Sequence, residues 1–131
     1  MPSAVDTNVL VRFLVDDGSE QVAPARRLFS TEQIFVPLSV MLETEWVLRS
    51  NFGFARTQIC DAFDRVLGLD SVSFQERRML ENAVDACRTG MDFADALHLA
   101  AASDCEVLYT FDKMLIRNAG RTVLTPQARE P

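Results

Sequence analysis

Ser3-Ala4-Val5-Asp6-Thr7-Asn8-Val9-Leu10-Val11-Arg12-Phe13-Leu14-Val15 changes its periodicity partway along. Ser3 to Asp6 reads as a short strand that ends in an acid. From Thr7 to Val15 the apolar residues Val9, Leu10, Phe13 and Leu14 fall at helical spacing. Asp16-Asp17-Gly18 breaks that helix, and Ser19 to Ser30 supplies a second one with Val22, Ala25, Leu28 and Phe29 on one side. A strand that hands over at once to a helix is the repeating unit of an α/β fold.

The pattern continues outward. Ile34-Phe35-Val36 is a compact strand closed by Pro37, and Leu38 to Asn51 a strongly apolar helix stopped by Asn51-Phe52-Gly53. Helices are expected over Thr57 to Leu67 and Phe74 to Thr89, with a weak strand at Val72 between them. Asp92 to Ser103 reads as a helix, Glu106 to Thr110 as a strand, Lys113 to Asn118 as a short helix and Val123-Leu124 as a last edge strand. Such alternation predicts a mostly parallel sheet, with functional groups beyond the carboxyl ends of its strands.

No repeat, low-complexity tract or Pro/Gly/Ser linker interrupts the chain, so one domain over residues 1–131 is expected. A hydrophobic content of 48% excludes a disordered chain. There is no run of about 18 apolar residues to span a membrane, and Met1-Pro2-Ser3-Ala4-Val5-Asp6 has neither the basic start nor the apolar core of a secretory signal. Cys60, Cys87 and Cys105 show no CxxC or Cys/His spacing and read as reduced thiols. A cytoplasmic protein is the expectation.

The carboxylates carry the functional signal. Asp6 ends the first strand and Asp112 lies just past the fourth, after Leu108-Tyr109-Thr110-Phe111. Each position suits a helix N-cap as well as it suits chemistry. Glu43 sits in the segment Val36-Pro37-Leu38-Ser39-Val40-Met41-Leu42-Glu43-Thr44-Glu45-Trp46-Val47-Leu48, with mostly apolar helical neighbours. A lone carboxylate there is costly unless it is paired or binds metal. Glu45 is read as a solvated partner of Arg49, four residues on. Asp92 and Asp95 open a helix three residues apart and fit a variant capping box, with Asp92 as the cap. His98, the one histidine, reads as a packed core residue in an Ala/Leu-rich helix, and no Ser/His/Asp triad can be built.

Taken in order, Val5-Asp6-Thr7-Asn8-Val9-Leu10-Val11, Val40-Met41-Leu42-Glu43-Thr44-Glu45-Trp46-Val47-Leu48-Arg49, Asp92-Phe93-Ala94-Asp95-Ala96-Leu97-His98-Leu99-Ala100 and Tyr109-Thr110-Phe111-Asp112-Lys113 resemble the four acidic blocks of the PIN-domain nucleases. The resemblance covers almost the whole chain and implies a three-layer sandwich, with a central mostly parallel sheet flanked by helices. Chain length without extra domains looks most like the VapC toxins. It implies an endoribonuclease dependent on Mg²⁺ or Mn²⁺, single-stranded or structured RNA as substrate, a cognate antitoxin of a type II toxin–antitoxin pair as partner, and a homodimer.

By the same resemblance Asp6 and Asp95 are principal metal ligands, Asp112 a ligand directly or through water, and Glu43 a ligand or the group that orients the attacking water. Thr7, Asn8 and Thr110 would hydrogen-bond these groups or the substrate, and Arg49, Arg56, Arg117 and Arg121 are candidate phosphate contacts. Hard cations favour such carboxylate oxygens. A formal charge of −6 at first opposes a nucleic-acid partner. If Asp6, Glu43, Asp92, Asp95 and Asp112 gather around a cation, the rest of the chain is nearly neutral and the site attracts phosphate.

Two rival readings remain: a catalytically silent PIN-type scaffold, and a metal-dependent small-molecule phosphohydrolase. A haloacid-dehalogenase-type enzyme would want a second Asp where Asn8 stands, and the acidic pair, central Asp and late Lys of a receiver domain are absent.

Overall fold

In the computed structural model, which describes every residue from Met1 to Pro131, β1 (Ser3–Ala4) pairs in parallel with β2 (Ile34–Val36), and β2 in parallel with β3 (Val72–Phe74). Parallel neighbours cannot be joined by a tight turn and need a crossover. α1 (Thr7–Leu14) and α2 (Val22–Thr31) cross from β1 to β2, while α3 (Leu38–Ser50) and α4 (Arg56–Leu67) cross from β2 to β3. These elements make up the first of two compact units, Met1–Arg77 and Arg78–Pro131.

In the first unit α1 packs on α2 and on α3. The Phe13 and Phe29 rings stack with centroids 4.0 Å apart, which ties α1 to α2. Ile34 and Val36 of β2 are fully buried, as are Leu10, Met41, Leu48 and Val66 from the crossover helices. A central parallel strand covered on both faces reads in this way as a short unbroken apolar run. The stop expected after α3 is present: Phe54 N–H donates to Leu48 O at 3.0 Å, and Gly53 adopts φ +66°, which a side chain would strain.

α5 (Arg77–Arg88) begins at the boundary and buries Leu80, Ala83, Val84, Ala86 and Cys87 on one face. In the second unit α6 (Phe93–Ala101) buries Ala96, Leu97, Leu99 and Ala100. β4 (Val107–Tyr109) pairs in parallel with β5 (Gln127–Arg129), and α7 (Lys113–Ala119), which joins them, packs on β5 and α6. All strand pairings are therefore parallel and the fold class is α/β. No helix is long and apolar enough to cross a membrane. Cys60 and Cys87 are buried, Cys105 is exposed, and all three are free thiols.

Three expected boundaries move by three residues or more. Phe74 belongs to β3, because its backbone pairs with Val36, and the helix that follows starts only at Arg77. The helix expected over Ser19 to Ser30 runs from Val22 to Thr31. The last strand is Gln127–Arg129 and not Val123-Leu124; Val123 is 98% exposed and makes no ladder. This correction can be checked by substitution. Val123→Asp should leave stability within about 0.5 kcal/mol of wild type, as solvent-facing changes do. Ala128→Asp, at a site 9% exposed in the β4–β5 ladder, should cost more than about 2 kcal/mol in urea denaturation, since it buries a charge. Equal losses in the two variants would contradict the observed strand.

Candidate active site

β1 carries its pairing one step beyond the strand, with Val5 N–H donating to Phe35 O at 3.2 Å, and so delivers Asp6 to the start of α1. Asp6 is the N-cap of that helix: its Oδ1 accepts from Val9 N–H at 3.1 Å, and Oδ2 has no protein partner. The Thr7 hydroxyl donates to Glu43 Oε1 on α3 in a short hydrogen bond, which holds the glutamate against the opening turn of α1. Asn8 Nδ2 donates to Gln21 Oε1 at 2.8 Å, and Arg12 Nε donates to the same oxygen at 3.1 Å. Asp6, Thr7, Asn8, Val11, Val40, Glu43, Val47 and Asn51 line one open cleft of about 470 Å³.

The two glutamates of α3 exchange the surroundings expected for them. Glu43 is exposed at the cleft, whereas Glu45 is only 5% exposed. Met41, Thr44, Glu45 and Leu48 form the buried side of α3. Glu45 tolerates burial because Arg49 Nε reaches its Oε2 at 2.9 Å, so the expected pair is present but is not solvated at the carboxylate end. That pairing commits Arg49 to Glu45 although its side chain is half exposed; Arg56, Arg117 and Arg121 are exposed as well.

In the second unit Asp92 caps α6, its Oδ2 accepting from Asp95 N–H at 3.1 Å. Only this half of the capping box forms, so the Asp95 carboxylate is spared the return bond to the cap. Asp112 caps α7, with Oδ1 accepting from Met114 N–H at 2.9 Å and Leu115 N–H at 3.1 Å. Thr110 Oγ1 accepts from Asp112 N–H at 3.0 Å and fixes the turn that presents it. Burial, and then the charges of Asp92 and Asp112, push the Asp95 pKa above its ordinary value, while His98 one turn on pulls it back. His98 itself is exposed, not the packed core residue expected; it lies outside the buried face formed by Ala96, Leu97, Leu99 and Ala100.

Each unit thus assembles its own carboxylate group: Asp6 with Glu43, and Asp95 with Asp92 and Asp112. No three such donors close into a cage for an ion. The donor chemistry nevertheless fits a hard divalent cation, which needs only one or two carboxylates and completes its shell with water and substrate phosphate. Asn51 and Gln21 were missed as functional candidates in the sequence. Asn51 reads as a helix stop, and nothing marks Gln21 as the residue that orients Asn8.

Compared with known proteins, residues 4–121 match the family model described as PIN domain. No curated protein matches the sequence.

The crowding of Asp95 has a readable sign. Because folding raises its pKa, the folded state holds the proton more tightly, and the stability this adds is lost as pH rises from the unfolded value toward the folded one. Asp95→Asn has no such proton to lose. Its melting temperature relative to wild type should therefore climb as pH rises above the ordinary carboxyl value of 3.8 in metal-free buffer. A difference that stays constant over this rise would show that Asp95 is not crowded.

Proposed function

The chain belongs to the PIN-domain family, and from that membership we propose that it is a divalent-metal-dependent endoribonuclease acting on single-stranded or loop RNA. PIN domains are in general metal-dependent nucleases. The observation that carries the reading for this chain is that each of the four family blocks retains its acid, at Asp6, Glu43, Asp95 and Asp112. A protein kept only as a scaffold has no need of four exposed or half-exposed carboxylates, one of them held at an energetic cost.

The hydrogen bonds support the following roles. Asp6 and Asp112 each spend one oxygen on a helix cap and keep the other for a cation, Mg²⁺ or Mn²⁺. Asp95, whose carboxylate makes no hydrogen bond, has both oxygens to offer as the other principal ligand. Glu43 gives Oε1 to Thr7, which leaves Oε2 to accept a proton from the attacking water. When bound, the cation supplies positive charge against the scissile phosphate and acidity for water. Asn8, tied to Gln21, presents the remaining amide atoms along the same cleft and orients the backbone of the RNA.

The finer identity we assign is the toxin of a type II toxin–antitoxin pair, cytoplasmic, working as a homodimer and silenced by a cognate antitoxin. This assignment rests on the resemblance to VapC toxins. The test is cleavage of a labelled RNA panel by purified protein with Mg²⁺, Mn²⁺ or EDTA, beside Asp6→Asn and Asp95→Asn. Cutting is expected only with metal, and each substitution should reduce it by at least about a hundredfold while the circular dichroism spectrum is unchanged. Metal should also raise the melting temperature of wild type by offsetting the crowded charge. Folded, partner-free protein that cuts no RNA, with melting indifferent to metal, would favour the scaffold. Release of phosphate from small esters alone would favour the phosphohydrolase.

A further inference from the structure

Three of the few large apolar side chains left in solvent lie close together: Tyr109 at 55% exposed, Phe111 at 79% and Met114 at 58%. They occupy the end of β4 and the first turn of α7, on either side of Asp112. Clustered apolar exposure of this kind marks an interaction site, whereas single exposed residues do not. Phe111 has no ring or cation packed against it. Basic side chains lie against the other two, Tyr109 and Met114. The β4–β5 register sets Arg129 opposite Tyr109, and the guanidinium lies over the Tyr109 ring, 5.7 Å from its centre. Arg117 Nη1 sits 3.9 Å from Met114 Sδ, and Lys113, the one lysine of the chain, is exposed directly after Asp112. From Val107 to the end, Lys113, Arg117, Arg121 and Arg129 stand against only Asp112 and Glu130, so this segment is net positive in a chain of charge −6.

We propose that this corner is a base-stacking platform for single-stranded RNA: Phe111 and Tyr109 receive the faces of unpaired bases, and Lys113, Arg117 and Arg129 neutralise the flanking phosphates. The proposal rests on the ribonuclease reading and adds how its substrate is gripped. Aromatic rings set among cations are what unpaired nucleotides require, because each base offers a π-face and each linkage a charge. A duplex hides those faces. A protein partner docking through Tyr109, Phe111 and Met114 would have to desolvate the surrounding cations.

The test is fluorescence anisotropy of a labelled, unstructured RNA of about twelve nucleotides, a length within the usual footprint of single-strand binders, in EDTA so that binding is read without cleavage. Phe111→Ala should weaken binding about tenfold or more, Phe111→Leu should weaken it similarly, and Phe111→Trp should retain it. The melting temperature should not move, since the ring is in solvent. Arg129→Ala should lower the slope of log affinity against log salt by about 0.7, the loss of one phosphate contact on a single strand. Unchanged affinity in Phe111→Ala, with cleavage intact, overturns the platform and leaves the ribonuclease reading standing. So does retained RNA affinity combined with loss of self-association on sizing, which would assign the patch to a second copy of the chain. Failure of wild type both to bind and to cut RNA removes the underlying reading as well.

Discussion

Because β1, β2 and β3 run parallel, β1 and β2 must each be left by a crossover, and each crossover here opens with a helix. A helix start is a demanding thing to place beside a strand end. It carries four N–H groups without intrahelical partners and the positive end of the macrodipole. Asp6 meets that demand for α1. α3 starts on Pro37, which has no side chain to cap with, so Gln75 at the end of β3 accepts from Leu38 N–H at 3.0 Å instead. The parallel pair β4–β5 repeats the situation, and Asp112 takes two N–H groups of α7. Acids stand at these strand ends first because the topology needs them there.

Capping and chemistry are consequently not alternatives for these residues. A cap engages one oxygen of an aspartate and restricts the rotation of the side chain, so the entropy of fixing the second oxygen has already been lost during folding. Asp6 and Asp112 both have this arrangement. Asp95 differs: its backbone N–H receives the cap from Asp92, and its own carboxylate is left among other carboxylates with its pKa raised. A carboxylate whose charge is opposed by burial and then by neighbours of like sign is where a cation gains most.

How much of this could be read from the sequence depended on the range of the interaction. The handover at Asp6, the helix stop at Asn51-Phe52-Gly53 and the Asp92 cap are local, and each was visible in a few residues. β5 was not, since Gln127 and Arg129 are polar and exposed and only Ala128 turns inward; its strand character comes entirely from pairing with β4. Val123-Leu124 looked more like a strand because it is apolar, yet nothing pairs with it. The surroundings of Glu43 and Glu45 were exchanged for a related reason. Apolar neighbours along α3 do not say which stripe meets α1 and the core, and the long Arg49 side chain let the wrong glutamate be buried. The Thr7–Glu43 bond, spanning 36 positions, had no local trace at all.

The overall charge was the most misleading single quantity in the sequence. At physiological ionic strength the field of an exposed charge fades over about 8 Å, so a nucleotide senses the groups beside it and not the sum over the chain. A charge of −6 therefore describes no particular surface. Carboxylates at helix starts, among them Asp6, Asp92 and Asp112, account for part of it. The segment from Val107 onward has the opposite sign, with its arginines placed against Tyr109 and Met114 by strand register and helix spacing. A chain of net charge −6 can thus still carry a segment, from Val107 onward, in which basic residues outnumber acids.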